Sequence, residues 1–211
     1  MRSGRDGFRG RQQALRLRRA AGLRYEGALA GSQGRAVAGR CPQGGHLILF
    51  LDFDGVLHPS QVVMGEHGPA LIGDGALFMW ADNLAPLLAA HPHVQLVLST
   101  SWARHLPFEQ VRDFLPVALR RRVVGSTWHR IQTDPAFSHG LPYSYWQDAT
   151  RYQQVRRWVT LHRLRRWASI DDDADGWADA DRPRLIHTRA DSGLSDPAAL
   201  SRLAELLRGQ P

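Results

Sequence analysis

The sequence predicts an α/β protein: a Rossmann-like three-layer α/β/α sandwich around a central parallel sheet. Three observations carry that expectation. Aliphatic runs of strand length recur at 46–52, 94–99, 122–125, 167–171 and 184–187. Longer segments with apolar residues at helical spacing lie between most of them. Three of the runs end in polar residues, at the carboxyl edge where open parallel sheets hold their ligands. These ends are Asp52-Phe53-Asp54, Ser99-Thr100-Ser101 and Asp171-Asp172-Asp173.

The elements follow in order. Residues 1–44 are rich in Arg, Gly, Ala and Gln and poor in large apolar residues, so they read as a basic extension with one short helix over 12–23. The domain begins at 45. Its first strand, over 46–52, has no polar alternation inside it, as expected for a strand covered on both faces. Residues 59–76, with their glycines, read as irregular. A helix is expected over 77–90, with Trp80, Leu84, Leu87 and Leu88 along one face. The second strand, 94–99, leads to a helix over 107–115 and a short strand at 122–125. Residues 128–145, carrying Pro135, Gly140 and Pro142, read as an irregular excursion. A long helix over 147–164 precedes the strand at 167–171. The last strand is 184–187, and a closing helix over 196–207 has Ser195 as its expected N-cap and Pro197 in the first turn.

Charge sorts along the chain in a way that narrows function. All 27 basic side chains other than histidine are arginine. Ten fall in residues 1–44 against only Asp6 and Glu26, a net +8, while the remainder carries 17 arginines against 18 acids. The high isoelectric point therefore belongs to the extension and does not mark the domain as a nucleic-acid binder. The extension is open to three readings, a nucleic-acid-binding arm, a transit peptide or a leader without a role; the last is preferred, because a basic tail by itself is weak evidence. A single cysteine, Cys41, precludes an internal disulfide. With no apolar run of membrane-spanning length, a cytoplasmic protein with no membrane partner and no obligate protein partner is expected.

Two carboxylates at one buried strand end are costly without a cation, and a divalent metal with a phosphate substrate accounts for both. An aspartate can attack phosphorus to form an acyl phosphate that water then hydrolyses. A hard cation with oxygen ligands reduces the repulsion between anionic nucleophile and anionic substrate, and Mg²⁺ suits that role. A second carboxylic acid can protonate the leaving oxygen. A hydroxyl and a fixed cation neutralise the remaining phosphoryl charge.

Asp52-Phe53-Asp54-Gly55-Val56-Leu57 resembles the first motif of the haloacid dehalogenase (HAD) superfamily of phosphatases. The resemblance implies that Asp52 is nucleophile and metal ligand. It implies that Asp54 is the general acid/base, its backbone carbonyl also on the metal. Ser99 matches the second-motif hydroxyl, with Thr100 as the alternative and Gly55 as a further contact to substrate. Arg151, 20 residues before Asp171, fits the basic third motif. Asp171 and Asp172 match the acidic fourth motif and complete the Mg²⁺ ligands. Neither gap between motifs is long enough for a full cap, so an accessible site is expected. More narrowly, Phe50 to Pro59 together with Leu98 to Trp102 is similar to the HAD domain of Swiss Army Knife RNA repair proteins.

The expected function is Mg²⁺-dependent phosphomonoester hydrolysis on a small phosphate ester or a nucleic-acid end. The alternatives are an end-processing phosphatase of nucleic-acid repair, and a non-catalytic nucleic-acid binder using the arginine arm. His58 is open between substrate contact and packing. Trp102 is expected to pack, while Trp128 is open between packing and base stacking. His91-Pro92-His93 reads as a loop and not as a metal pair. The arginines at 120–122, 156–157 and 163–166 are open between a phosphate-tracking surface and solvated faces.

Overall fold

A computed structural model describes residues 45–66, 68–128 and 148–209. The helix expected over 12–23 and most of the 128–145 excursion lie outside the described residues. Seven strands occur among those described: β1 Leu47–Leu51, β2 Val62–Gly65, β3 Gly68–Leu71, β4 Val94–Leu98, β5 Val123–Ser126, β6 Trp167–Asp171 and β7 Leu185–His187. The α-helices are α1 Ala81–Ala89, α2 Phe108–Asp113, α3 Val117–Arg120, α4 Arg151–Leu161 and α5 Pro197–Arg208. Five strands form the expected parallel sheet, and their order in it is β5-β4-β1-β6-β7.

All five residues of β1 are buried because both of its faces are covered. Leu47, Leu49 and Leu51 pack into one core with Leu84 and Leu88 of α1 and Leu203 and Leu207 of α5. Ile48 and Phe50 face the other way, against Val155 and Val159 of α4 and against Trp177. After β1 the chain leaves toward the first layer, and after β6 toward the second through Trp177. The strand order reverses at this place, opening the crevice in which doubly wound sheets hold ligands.

Five local expectations are corrected. The 59–76 segment contains the antiparallel hairpin β2–β3, its strands largely exposed. Among the described residues it is the only sheet inserted between β1 and β4, and it is far smaller than a cap domain. The helix expected from 77 begins at Ala81, after Phe78 adopts a positive φ of 62°. The helix expected over 107–115 ends at Asp113, and Pro116 starts the separate turn α3. The closing helix is capped by Asp196, which accepts from the Ala198 N–H at 2.8 Å; the Ser195 hydroxyl instead donates to the Ser192 carbonyl.

The helix expected from 147 starts at Arg151 because Thr150 and Gln153 form a capping box. The Gln153 N–H donates to the Thr150 hydroxyl at 3.2 Å and the Thr150 N–H to the Gln153 side chain at 2.9 Å. This fixes Arg151 as the first residue of α4, under the carboxyl edge of the sheet. Thr150→Ala is expected to cost about 1 kcal/mol, lowering the melting temperature by about 3 °C. Thermal unfolding followed by circular dichroism checks this.

Candidate active site

Backbone hydrogen bonds extend the sheet past its assigned ends into the polar residues. The Asp52 N–H donates to the Ile170 carbonyl, Ser99 N–H to Leu51 and Thr188 N–H to Asp171, at 3.1, 2.8 and 3.1 Å. Ser99, Asp52 and Asp171 thus lie side by side on three adjacent strands, β4, β1 and β6. Side chains alternate along a strand, so the register puts all three on the α4 face, the side of Val97, Phe50 and Ser169. Arg151 rises from the start of α4 to meet them.

Asp52, Asp171 and Asp172 each offer a carboxylate oxygen, and the three oxygens lie within 4.8 Å of one another. Arg151 is the cation among them, with Nη2 3.6 Å from Asp52 Oδ2 and Nε 3.3 Å from Asp171 Oδ2. The second approach is too poorly aligned for a hydrogen bond, and Asp171 Oδ2 is buried with no hydrogen-bond partner. The other oxygen of Asp171 accepts from the Asp173 N–H. Burial works against the Arg151 charge, but Asp52 and Asp171 outweigh it and hold the guanidinium above its ordinary range.

One arginine does not balance three carboxylates. Burial pushes Asp52 up to about 7, with repulsion from Asp54 and Asp172 adding to the rise and Arg151 opposing it. Burial and Asp52 hold Asp171 well above the ordinary carboxylate range. Asp172 is pushed up to about 6 by burial, Asp54 and Asp173. Raised values on converging oxygens, one of them orphaned, suit a hard divalent cation taking oxygen ligands.

Asp54 has a different environment. Its carboxylate accepts from Trp102 Nε1 at 3.0 and 3.2 Å, from Ser101 Oγ at 3.3 Å and from His58 Nε2 at 3.3 Å. The tautomer of His58 follows from its other nitrogen. Nδ1 accepts the Phe78 N–H at 3.3 Å, so Nε2 carries the hydrogen given to Asp54. His58 is fully buried, with the rings of Phe78 and Trp102 against it. Of the two alternatives for His58, the structure shows packing, and the packed ring is also a donor to a site carboxylate. Trp102 packs as expected and also hydrogen-bonds Asp54, which its place in a Ser-Thr-Ser-Trp run did not reveal. Trp128 is buried, 5 % exposed.

Gly55 permits the arrangement sterically. Its φ of +72° favours glycine, and a Cβ there would collide with the Asp172 carboxylate. Its carbonyl accepts the Thr188 hydroxyl at 2.8 Å, and its N–H donates to the His58 carbonyl at 2.9 Å. The Ser99 hydroxyl is buried without a partner, whereas Thr100 Oγ1 accepts the Trp102 N–H. Every residue expected at the site therefore lies at this edge. Side-chain oxygens of Asp52, Asp171 and Asp172 converge, and the Asp54 side chain is held apart from them by its three donors.

The sequence over residues 48–199 matches the family described as the HAD domain in Swiss Army Knife RNA repair proteins. No curated protein matches the chain. Among the described residues no helix is long and apolar enough to cross a membrane.

The raised carboxylates set a pH dependence of stability. In metal-free protein the unfolded carboxyls ionise near pH 4 while the folded ones still hold their protons. Stability is therefore lost as pH rises from about 4 toward 7. In chelator, the melting temperature is expected to fall across that interval, and Mg²⁺ at about pH 8 to raise it by about 5 °C. Asp171→Asn should remove most of the Mg²⁺ response; an equal response in the variant would contradict the carboxylate site.

Proposed function

The chain belongs to the family of HAD domains found in Swiss Army Knife RNA repair proteins, and from this we propose that it is a Mg²⁺-dependent phosphomonoester hydrolase working through an aspartyl-phosphate. The observation that carries the reading is the convergence of Asp52, Asp171 and Asp172 oxygens within 4.8 Å at one strand edge. These three carboxylates, with the Asp54 backbone carbonyl, would hold the cation, which offsets the repulsion between nucleophile and phosphate.

The side chains divide the remaining work. An Asp52 oxygen attacks phosphorus, a bond forms between them, and the bond from phosphorus to the leaving oxygen breaks. Asp54 gives that oxygen its proton, then takes one from the water that attacks phosphorus in the second step. Phosphate leaves and Asp52 is restored. The partnerless Ser99 hydroxyl donates to a phosphoryl oxygen, with Thr100 beside it as a second donor, and Arg151 supplies fixed positive charge. Gly55 leaves room for Asp172 and the phosphate.

The family favours a nucleic-acid terminal phosphate over a metabolite as substrate. A panel of phosphorylated metabolites beside 3′- and 5′-phosphorylated oligonucleotides separates the two classes. Asp52→Asn is expected to lower turnover by about a thousandfold or more. Full turnover in that variant, with Mg²⁺ present, would defeat the mechanism.

The Asp54 clamp gives a sharper expectation. Trp102→Phe keeps the aromatic packing and removes one donor to the acid/base carboxylate. Hydrolysis of alkyl phosphates, whose leaving oxygen needs a proton, should slow by about tenfold. Hydrolysis of a nitrophenyl phosphate, which leaves unassisted, should barely change. Equal losses on both substrates would mean the indole does not act through Asp54.

A further inference from the structure

The opposite, amino-terminal edge of the sheet carries the reverse charge. The loops entering four parallel strands lie there in the order of the sheet. Arg122 precedes β5, His91 and His93 precede β4, His46 precedes β1 and Arg166 precedes β6. Short contacts link neighbouring loops of this row. The His91 and His93 rings stand 5.8 Å apart, and His46 Nδ1 is 3.2 Å from the His93 carbonyl. Arg122 donates to the His91 and Val94 carbonyls at 3.0 and 3.1 Å, and Arg166 to the Gly45 carbonyl at 2.7 Å.

No aspartate or glutamate occurs in residues 45–47, 90–94, 120–124 or 161–167. Arg120, at the margin of these loops, pairs with Asp113 at 3.6 Å. At the centre of the cluster His93 Nε2 is buried with no hydrogen-bond partner. Burial and then the positive charges of Arg166, His91, His46 and Arg122 hold His93 below the ordinary histidine range. A bound anion would offset the positive charge of Arg122 and Arg166 gathered at this edge.

The shape of the cluster decides which anion. Adjacent strands are about 4.8 Å apart, so four successive loops span about 14 Å. That is a row, too long for one phosphate and suited to several in succession. Exposed Arg121, Arg163 and Arg165 widen the same edge. We propose that the amino-terminal edge of the sheet binds the phosphodiester backbone of a nucleic-acid strand. The contacts are to phosphates and carry no base readout. A five-residue strand separates this edge from Asp52 by about 16 Å, so the site is distinct from the carboxylate cluster and does not depend on its chemistry.

The test uses the full-length protein and a short single-stranded RNA with hydroxyls at both ends, which offers no phosphomonoester. Binding is measured by fluorescence anisotropy over a range of salt. One variant combines Arg121→Gln, Arg163→Asn and Arg165→Gln, three exposed positions; asparagine suits the positive φ of 52° at 163. A second combines His91→Gln and His93→Gln. Each should bind about tenfold more weakly whatever the base sequence, and the arginine variant should lose about 2 from the slope of log affinity against log salt. Both should keep wild-type hydrolysis of a nitrophenyl phosphate, and Asp52→Asn should keep wild-type RNA affinity.

Unchanged affinity and slope in both variants would overturn the proposal, because any RNA binding would then lie elsewhere. Complete displacement by millimolar inorganic phosphate, at matched ionic strength, would also overturn it by showing a single-anion pocket. So would variant-sensitive binding to phosphatidylserine vesicles in a protein that ignores RNA.

Discussion

Three converging carboxylates at adjacent strand ends, two of them buried and one partly so, are the constraint around which this structure is organised. In a low-dielectric site each ionised group repels the others, and one guanidinium offsets only part of that. The polypeptide meets the problem with several local devices. A capping box starts α4 at Arg151, placing the guanidinium between Asp52 and Asp171. Gly55, with its positive φ and missing side chain, leaves room for Asp172. The Phe53 N–H supports an Asp52 oxygen at 2.8 Å. The residual imbalance makes the site receptive to a divalent cation.

Asp52 and Asp54 differ by two residues and by almost everything in their surroundings. Asp52 is deeply buried, near an arginine and two further carboxylates. Asp54 is partly exposed and has indole, imidazole and hydroxyl donors on its oxygens. Two carboxylates in unlike environments can take unlike roles, one as nucleophile and one as proton carrier. The indole and hydroxyl come from the turn after β4, and the imidazole from the turn after β1. The two strand ends that frame the crevice therefore also orient Asp54.

The charge of the domain is polarised along its strands. Carboxylates collect where the strands end, and arginines and histidines where they begin, although the domain's total is close to neutral. A net charge near zero thus conceals two faces of opposite character. An average over the sequence assigns the excess positive charge to residues 1–44, which is correct for the sum and silent about the arrangement.

Much of this was legible in the sequence. Alternating strand and helix patterns are local, and a run such as Leu47–Leu51 has only one environment that buries every side chain. The five parallel strands and the residues at their ends follow from that pattern. Boundaries set by single side chains were less legible: Asp196 takes the cap expected of Ser195, and the β2–β3 hairpin pairs where glycines suggested irregular chain. The Asp54 clamp was not legible, because Trp102 lies 48 residues from Asp54 and meets it only when β1 and β4 pair. The same holds for the basic edge, whose histidines and arginines are brought into one row by the order β5-β4-β1-β6. The sequence by itself determined the fold class and which strand ends bear carboxylates, since both depend on short-range pattern. Only the tertiary structure decided which side chains share a charge environment, because electrostatic coupling depends on distance in space and that distance is set by strand order.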